Sequence, residues 1–171
     1  MFFLCLFTIT SVLWHEDFTE NMSTMSQLYD YTIDISHHDG KVFLKAHPQF
    51  EGFSSAWFYV DEDLAFRDDD ILELVVKVHG KNARLKYFYR KEGCGVYFGG
   101  VKVIEPDTQW QKVEIPLKDA RPFYSSNYPS ALTPDKTPCL YIFITNELPG
   151  NFDVEIDWMS VVRPESHEEE R

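Results

Sequence analysis

The chain has 171 residues, which is enough for one domain that buries its own core without a disulfide scaffold. Its 44% hydrophobic and 26% charged residues are ordinary for a globular protein and exclude wholesale disorder. The net charge of -12, from 28 acidic and 16 basic residues, disfavours nucleic acid and anionic membranes as partners and leaves neutral ligands and cations open. Aromatic residues reach 16%, more than a small core obviously requires, and we expect some of them to face a ligand.

Residues 1–14 carry no charge and are almost wholly apolar, so they are interpreted as a leader in front of the domain. The run is shorter than the roughly 18 to 20 residues of a spanning helix, and no membrane span is predicted. It matches the apolar middle of a secretory signal peptide with a truncated start, which predicts a secreted, periplasmic or cell-surface protein. The alternative is a buried first strand, because Phe, Thr, Ile and Val favour strands.

Residues 15–164 are predicted to form a single domain in which apolar residues recur with the period of two that is typical of strands. The predicted strands are residues 42–46, 56–60, 71–79, 83–90, 95–104, 111–117, 140–145 and 152–162. Turn signals separate them, and no window of similar length has a helical face. So many short strands predict an all-β fold, an antiparallel β-sandwich or barrel. Residues 165–171 are predicted to be a solvated acidic tail.

Several short motifs in the second half of the chain share a recognisable order. Trp110 opens a strand in WQKVEIPL, a Pro-rich loop follows, and then come the apolar strand LYIFIT and the closing segment GNFDVEIDWMSV. With HEDF at residues 15–18 and HHDGKVFLKA at residues 37–46, this order resembles the galactose-binding-like jelly-roll superfamily, and most of all the non-catalytic carbohydrate-binding modules of bacterial glycan-degrading systems. The resemblance implies a jelly-roll sandwich whose partner is a glycan, an oligo- or polysaccharide; it leaves the oligomeric state open.

Members of this superfamily often hold a structural Ca²⁺ where the first strand, the following Gly loop and the last strand meet. Carried over to this chain, the resemblance implies Glu16 or Asp17, backbone oxygens of the loop that contains Asp39 and Lys41, and Asp157. Calcium takes six to eight oxygen ligands from carboxylates and carbonyls, so the residue types are suitable. The alternative is that these carboxylates are ordinary surface groups at strand ends.

Sugar recognition commonly places flat aromatic rings against the apolar faces of pyranoses, with polar groups nearby for the hydroxyls. The candidate ligand-binding residues are the rings Trp57, Tyr59, Tyr87, Tyr89, Tyr97, Tyr124 and Tyr128 and the polar residues Glu73, Lys77, His79, Lys86 and Arg90. Tyr124 and Tyr128 lie in the long Pro-rich loop and are expected to be exposed. Trp110 and Trp158 are assigned to the core.

Two other functional classes remain open from the sequence. Glu155 and Asp157 resemble the acid cluster of sandwich-fold glycoside hydrolases, but Ser160 stands where a further carboxylate is needed. The chain has no zinc-protease helix motif, nucleophile elbow or phosphate-binding Gly loop. A structural or protein-interaction domain without a sugar ligand is the first alternative, and a polysaccharide lyase or glycoside hydrolase is the second.

Overall fold

The structure, a computed structural model, describes residues 10–19, 25–28, 33–46, 54–60, 62–123, 138–148 and 152–165, with the backbone alone at 25–28 and 123. Within these ranges the chain forms twelve strands and one 3-10 turn, Leu117–Asp119. The strands are β1 (Thr10–Glu16), β2 (Met25–Leu28), β3 (Ile33–His38), β4 (Lys41–Ala46), β5 (Ser55–Val60), β6 (Ile71–Val78), β7 (Ala83–Arg90), β8 (Tyr97–Ile104), β9 (Asp107–Pro116), β10 (Arg121–Phe123), β11 (Leu140–Asn146) and β12 (Asp153–Pro164).

The strands form two antiparallel sheets of six strands each. Sheet I has the order β3-β4-β12-β6-β9, with β1 also paired to β12, and sheet II has the order β10-β8-β7-β11-β5-β2. β4 and β1 lie end to end along one edge of β12, because β4 pairs with residues 153–156 and β1 pairs with residues 159–164. The two sheets pack face to face, which confirms the predicted all-β antiparallel sandwich.

Strict alternation of buried and half-buried side chains puts one core between the sheets. In β6 and β7 every second residue is buried, as the period-two pattern of the sequence predicts. The side chains with the least exposure include Leu72 and Leu74 of sheet I and Leu85, Ile142 and Ile144 of sheet II. Burial of each such side chain stabilises the fold by about 1.5 to 3 kcal/mol.

The eight predicted strands are all present, and the structure adds β1, β2, β3 and β10. β3 and β4 form a hairpin whose two-residue turn, Asp39-Gly40, has positive φ angles of 51° and 68°. Asp-Gly is the residue pair that such a turn favours, because both positions need the left-handed region. The predicted strand at residues 111–117 in fact begins at Asp107.

The predicted boundary between leader and domain is wrong. Residues 10–14 lie in β1, which pairs with β12, and Trp14 is only 4% exposed within the core. The alternative interpretation, a first strand, therefore applies to these residues. Residues 1–9 of the predicted leader and residues 166–171 of the predicted tail lie outside the described part of the chain.

The assignment of Trp110 and Trp158 to the core is also wrong, since both are half-buried on the outer face of sheet I. A β-bulge at Asp157 shifts the register of β12 against β6. One extra residue reverses the alternation, so Trp158 points outward although it has the parity of the buried Ile156. Trp110 lies under the Lys77 ammonium, which is 4.4 Å from its ring centroid.

Candidate functional site

Four aromatic side chains lie on the outer face of sheet II, on the adjacent strands β5 and β11. Alternate residues of both strands are buried in the core, so the intervening side chains point away from it. The outward rings are Trp57 and Tyr59 on β5 and Tyr141 and Phe143 on β11. Tyr59 is paired with Tyr141 and Trp57 with Phe143, so the four rings occupy two neighbouring cross-strand positions.

Two further rings extend this group toward β7 and β8. Phe88 of β7 is paired with Tyr141, and Tyr97 of β8 is paired with Arg90 on the same face. We call the set of Trp57, Tyr59, Phe88, Tyr97, Tyr141 and Phe143 the aromatic platform.

The rings of the aromatic platform contact one another as a continuous network. Phe143 is at its centre, with ring centroids 5.0 Å from Trp57, 5.6 Å from Phe88 and 6.2 Å from Tyr141. Tyr141 in turn lies 5.8 Å from Tyr97 and 6.4 Å from Tyr59. Edge-to-face and offset arrangements at these distances are the favourable ones, so the rings hold one another in place.

Exposure makes the aromatic platform available to a ligand. Trp57 is 37% exposed, and the other five rings are half-buried. The Trp57 indole donates its N–H to the Ser55 hydroxyl at 2.6 Å, and the Tyr97 hydroxyl donates to the Pro138 carbonyl at 2.7 Å. Rings fixed in this way present apolar faces beside polar tips, a combination that suits amphipathic ligands.

Basic residues of β7 lie on the same face as the platform. Arg90 donates to the Leu64 carbonyl at 2.6 Å and pairs with Asp63 at 2.8 Å. Arg84, toward the other end of the strand, pairs with Glu147 at 3.3 Å. Arg90, a candidate from the sequence, therefore lies beside the platform next to Tyr97.

Tyr87 and Tyr89 require a correction, because they lie in the core and not on the outer face. They are 3% and 0% exposed, and the Tyr89 hydroxyl donates to the Leu117 carbonyl at 3.1 Å. Burial raises the pKa of both phenols. The sequence separates the two faces of β7 correctly, but the apolar face with Leu85 is the buried one, so these rings cannot stack on a sugar.

Glu73, Lys77 and His79 also require a correction, because they lie on the opposite side of the sandwich from the platform. Glu73 and Lys77 belong to β6 in sheet I, and His79 directly follows that strand. Their contacts are with sheet I: Glu73 pairs with Lys112 at 2.7 Å, while Glu155 is 3.6 Å from Lys77 and 2.8 Å from His79. They cannot bind the same sugar as Trp57 and Tyr59.

Two predicted ring residues lie outside the described part of the chain, and three rings of the aromatic platform were not predicted. Tyr124 and Tyr128 lie outside the described ranges. Phe88, Tyr141 and Phe143 were not predicted as site residues. The signal for the last two was present in LYIFIT, where two rings alternate with the buried Leu140, Ile142 and Ile144. An apolar ring at an outward strand position was the informative feature.

The structure does bring the segments of the predicted calcium site together. A Cβ built on Gly40 would lie 3.1 Å from Thr19 Cγ2 and 3.5 Å from the Asp17 carbonyl, so the loop after β1 contacts the β3–β4 turn. Asp157 is at the bulge where the partner strand of β12 changes from β4 to β1.

The carboxylates of this region are, however, engaged by donors of the chain itself. Glu16 accepts the N–H of Phe18 at 2.8 Å, and Asp157 lies 3.3 Å from the Lys41 ammonium. Asp17 accepts the Thr19 hydroxyl at 2.7 Å, which lowers the pKa of Asp17. No three His, Cys, Asp or Glu side chains of the described ranges are grouped to hold a metal. As placed, these residues do not fit a calcium ion, so calcium binding, with Asp39 in its loop, rests on the superfamily resemblance alone.

The sandwich is similar to solved carbohydrate-binding modules. The family 11 carbohydrate-binding module of the cellulosomal cellulase Lic26A-Cel5E of Clostridium thermocellum has a TM-score of 0.57 at 16% identity, over 94% of this chain and 99% of the module. A Clostridium thermocellum family 11 module in complex with a β-1,3-1,4-mixed-linked tetrasaccharide has a TM-score of 0.55 at 15% identity, over 92% of this chain and 98% of the module.

The agarase AgWH50C matches with a TM-score of 0.55 at 9% identity, over 92% of this chain but only 25% of the agarase. No family model and no curated protein match the sequence. At such identities the likeness concerns the fold, and it confirms the predicted jelly roll. In the described ranges no helix has the length and apolarity that crossing a membrane requires.

Proposed function

We propose that this protein binds a carbohydrate non-catalytically, with the aromatic platform of sheet II as the binding face. The observation that carries the proposal is the continuous network of six rings on an outer sheet face, where core packing does not require them. Each ring offers a flat apolar face on which a pyranose can stack, and the mostly edge-to-face contacts between the rings hold these faces in place. The fold shared with carbohydrate-binding modules supports the proposal.

The proposed function also favours a location outside the cytoplasm, secreted or at the cell surface, where polymeric glycans occur. Cell fractionation followed by detection of the protein in the medium, periplasm or envelope checks this part of the proposal.

Binding is tested by affinity electrophoresis and calorimetry against a panel of soluble polysaccharides. Trp57→Ala should weaken binding about tenfold or more, because it removes the most exposed apolar ring surface of the platform. Trp110→Ala is the matched control, since it removes the same side chain from the outer face of sheet I. Equal affinities of the two variants, or no glycan bound by the wild type, would refute the proposal, and shortened polysaccharide products would indicate an enzyme instead.

A further inference from the structure

The outer faces of the two sheets differ in how their charges are balanced. On sheet I, cross-strand carboxylates neutralise the lysines. The pairs are Lys41 with Asp157 at 3.3 Å, Lys45 with Asp153 at 3.8 Å, Lys77 with Glu155 at 3.6 Å and Lys112 with Glu73 at 2.7 Å. Each of these four lysines therefore has a carboxylate partner on its own face.

Sheet II carries only one sign of charge on its outer strand positions. Residues of paired positions share a face, so the register assigns the outward side chains of β5, β7, β8, β10 and β11. The charged ones are Arg84, Lys86, Arg90 and Arg121, and no outward position of these strands holds an acid. A chain with a net charge of -12 thus places four bases on the face that carries the rings.

Two of these four bases have no counter-charge among the described residues. Arg84 and Arg90 pair with Glu147 and Asp63, which lie in the segments that flank the sheet. Lys86 and Arg121 form no ion pair or hydrogen bond through their side chains with any residue of the described ranges. The lysines of sheet I have carboxylate partners, whereas the cross-strand neighbours of Lys86 are Phe143 and Val101.

Lys86 lies in the same cross-strand row as the centre of the platform. Phe143 is paired with Trp57 on one side and with Lys86 on the other. Adjacent strands are about 4.8 Å apart, so Lys86 is one strand from Phe143 and two strands, about 10 Å, from Trp57. Arg121 occupies the next row, across Gly99 from Phe88. Both bases are therefore on the β7–β10 side of Trp57 and Phe143.

We propose that the glycan is acidic, with carboxylate or sulfate groups, and that Lys86 binds an acidic group of the sugar next to the one stacked on Trp57. The inference rests on the proposed function. A cation beside an exposed ring face provides stacking and a charge-assisted hydrogen bond for one ligand. The negative total charge does not prevent this, because charges beyond a Debye length of about 10 Å are largely screened at about 0.1 M salt.

The test uses pairs of polymers that differ only in charge. Polygalacturonate is compared with its carboxyl-reduced form, and a sulfated galactan with its desulfated form, at about 50 mM and about 500 mM NaCl. One acidic member should bind about tenfold or more tighter than its neutral form at low salt, since hydrogen bonds to charged groups are strong. Which pair shows the difference identifies carboxylate or sulfate as the recognised group.

Lys86→Met should remove most of this preference, and Lys86→Arg should retain it. Lys45→Met is the matched control, because it makes the same charge change on the exposed outer face of sheet I. Neutral polymers that bind as tightly as the acidic ones would overturn the acidic-glycan inference and leave the proposed function intact. Acidic binding that neither Lys86→Met nor Trp57→Ala weakens would also overturn it. No binding of any polymer would overturn both.

Discussion

The Phe88 ring lies across Gly99 of the neighbouring strand on the outer face of sheet II. A Cβ on Gly99 would be 2.5 Å from Phe88 Cδ1 and 2.5 Å from the Tyr87 carbonyl oxygen. The absence of a side chain at Gly99 is therefore what allows Phe88 to lie against β8 and join the aromatic platform.

Gly99→Ala is expected to disturb the platform and the sheet together. The added methyl group overlaps both a ring and backbone, so one of them must move, which costs about 1 to 3 kcal/mol of the free energy of unfolding. Urea unfolding measures this loss. Gly95→Ala is the control, because a Cβ there has no atom within 4 Å. Equal stability of the two variants would contradict the close approach of β7 and β8.

Arg163→Met is expected to destabilise the sandwich strongly. Its guanidinium makes two hydrogen bonds, 2.7 Å and 2.9 Å long, to the carboxylate of Asp70, which is fully buried. Loss of the guanidinium leaves a buried charge without its ion-pair partner, at a cost of about 3 to 5 kcal/mol. Chemical denaturation should show this loss, and Asp70→Asn combined with Arg163→Met should recover part of it.

The ion pair of Arg67 is the exposed control for the buried pair of Arg163 and Asp70. Its side chain pairs with Glu92 at the surface, where both groups are about half exposed. Arg67→Met should lower the free energy of unfolding far less than Arg163→Met does, because solvent screens exposed ion pairs. If Arg67→Met destabilised the protein as much as Arg163→Met does, burial of Asp70 would not be the cause of the large loss.

Stability should fall at alkaline pH because of two core tyrosines. Burial raises the pKa of Tyr87 and Tyr89 above the ordinary value of about 10. A pKa that is higher in the folded state contributes stability that is complete below about pH 10 and is lost as the pH rises through the folded pKa. The free energy of unfolding, measured by urea titration at successive pH values, should therefore decline above about pH 10.

Tyr89→Phe tests whether the buried tyrosines, and not other titrating groups, cause the loss of stability at alkaline pH. The variant should lose about 1 kcal/mol at neutral pH, because the hydrogen bond to the Leu117 carbonyl disappears. Its alkaline decline should be shallower than that of the wild type, since one ionising group is absent from the core. An unchanged slope would assign the decline to other groups.

Calcium is expected to leave the melting temperature of the wild type unchanged. The Lys41 ammonium already lies on Asp157, and a bound cation would have to displace it. Thermal melts with added calcium and with a chelator measure the effect, because a ligand of the folded state raises the melting temperature. A rise with calcium that Asp157→Asn removes would establish the calcium site implied by the superfamily resemblance.

Local pattern in the sequence was sufficient for the predicted strands, for the all-β class and for the separation of faces in β6 and β7. Period-two alternation directly reflects the geometry of a strand, so residues 71–79 and 83–90 were assigned almost to their observed bounds. The sequence also predicted the turn at Asp39-Gly40, because a turn with positive φ angles favours particular residues.

Which face of each sheet meets the other sheet was decided only in the tertiary structure. Parity put Tyr87 and Tyr89 opposite Phe88, but only sheet packing shows that the tyrosines are inside. The bulge at Asp157 reversed the parity for Trp158, because a single inserted residue is invisible in an alternation pattern.

The composition at the outset gave a net charge of -12 and a surplus of rings, and it disfavoured anionic partners. The sequence by itself determined the net charge, the number of rings and the strands in which they lie. Only the tertiary structure decided which charges and rings share a face, because residues far apart in the chain become neighbours through strand pairing. That pairing places Trp57, Phe143 and Lys86 in one cross-strand row of sheet II. It places the lysine–carboxylate pairs on the outer face of sheet I.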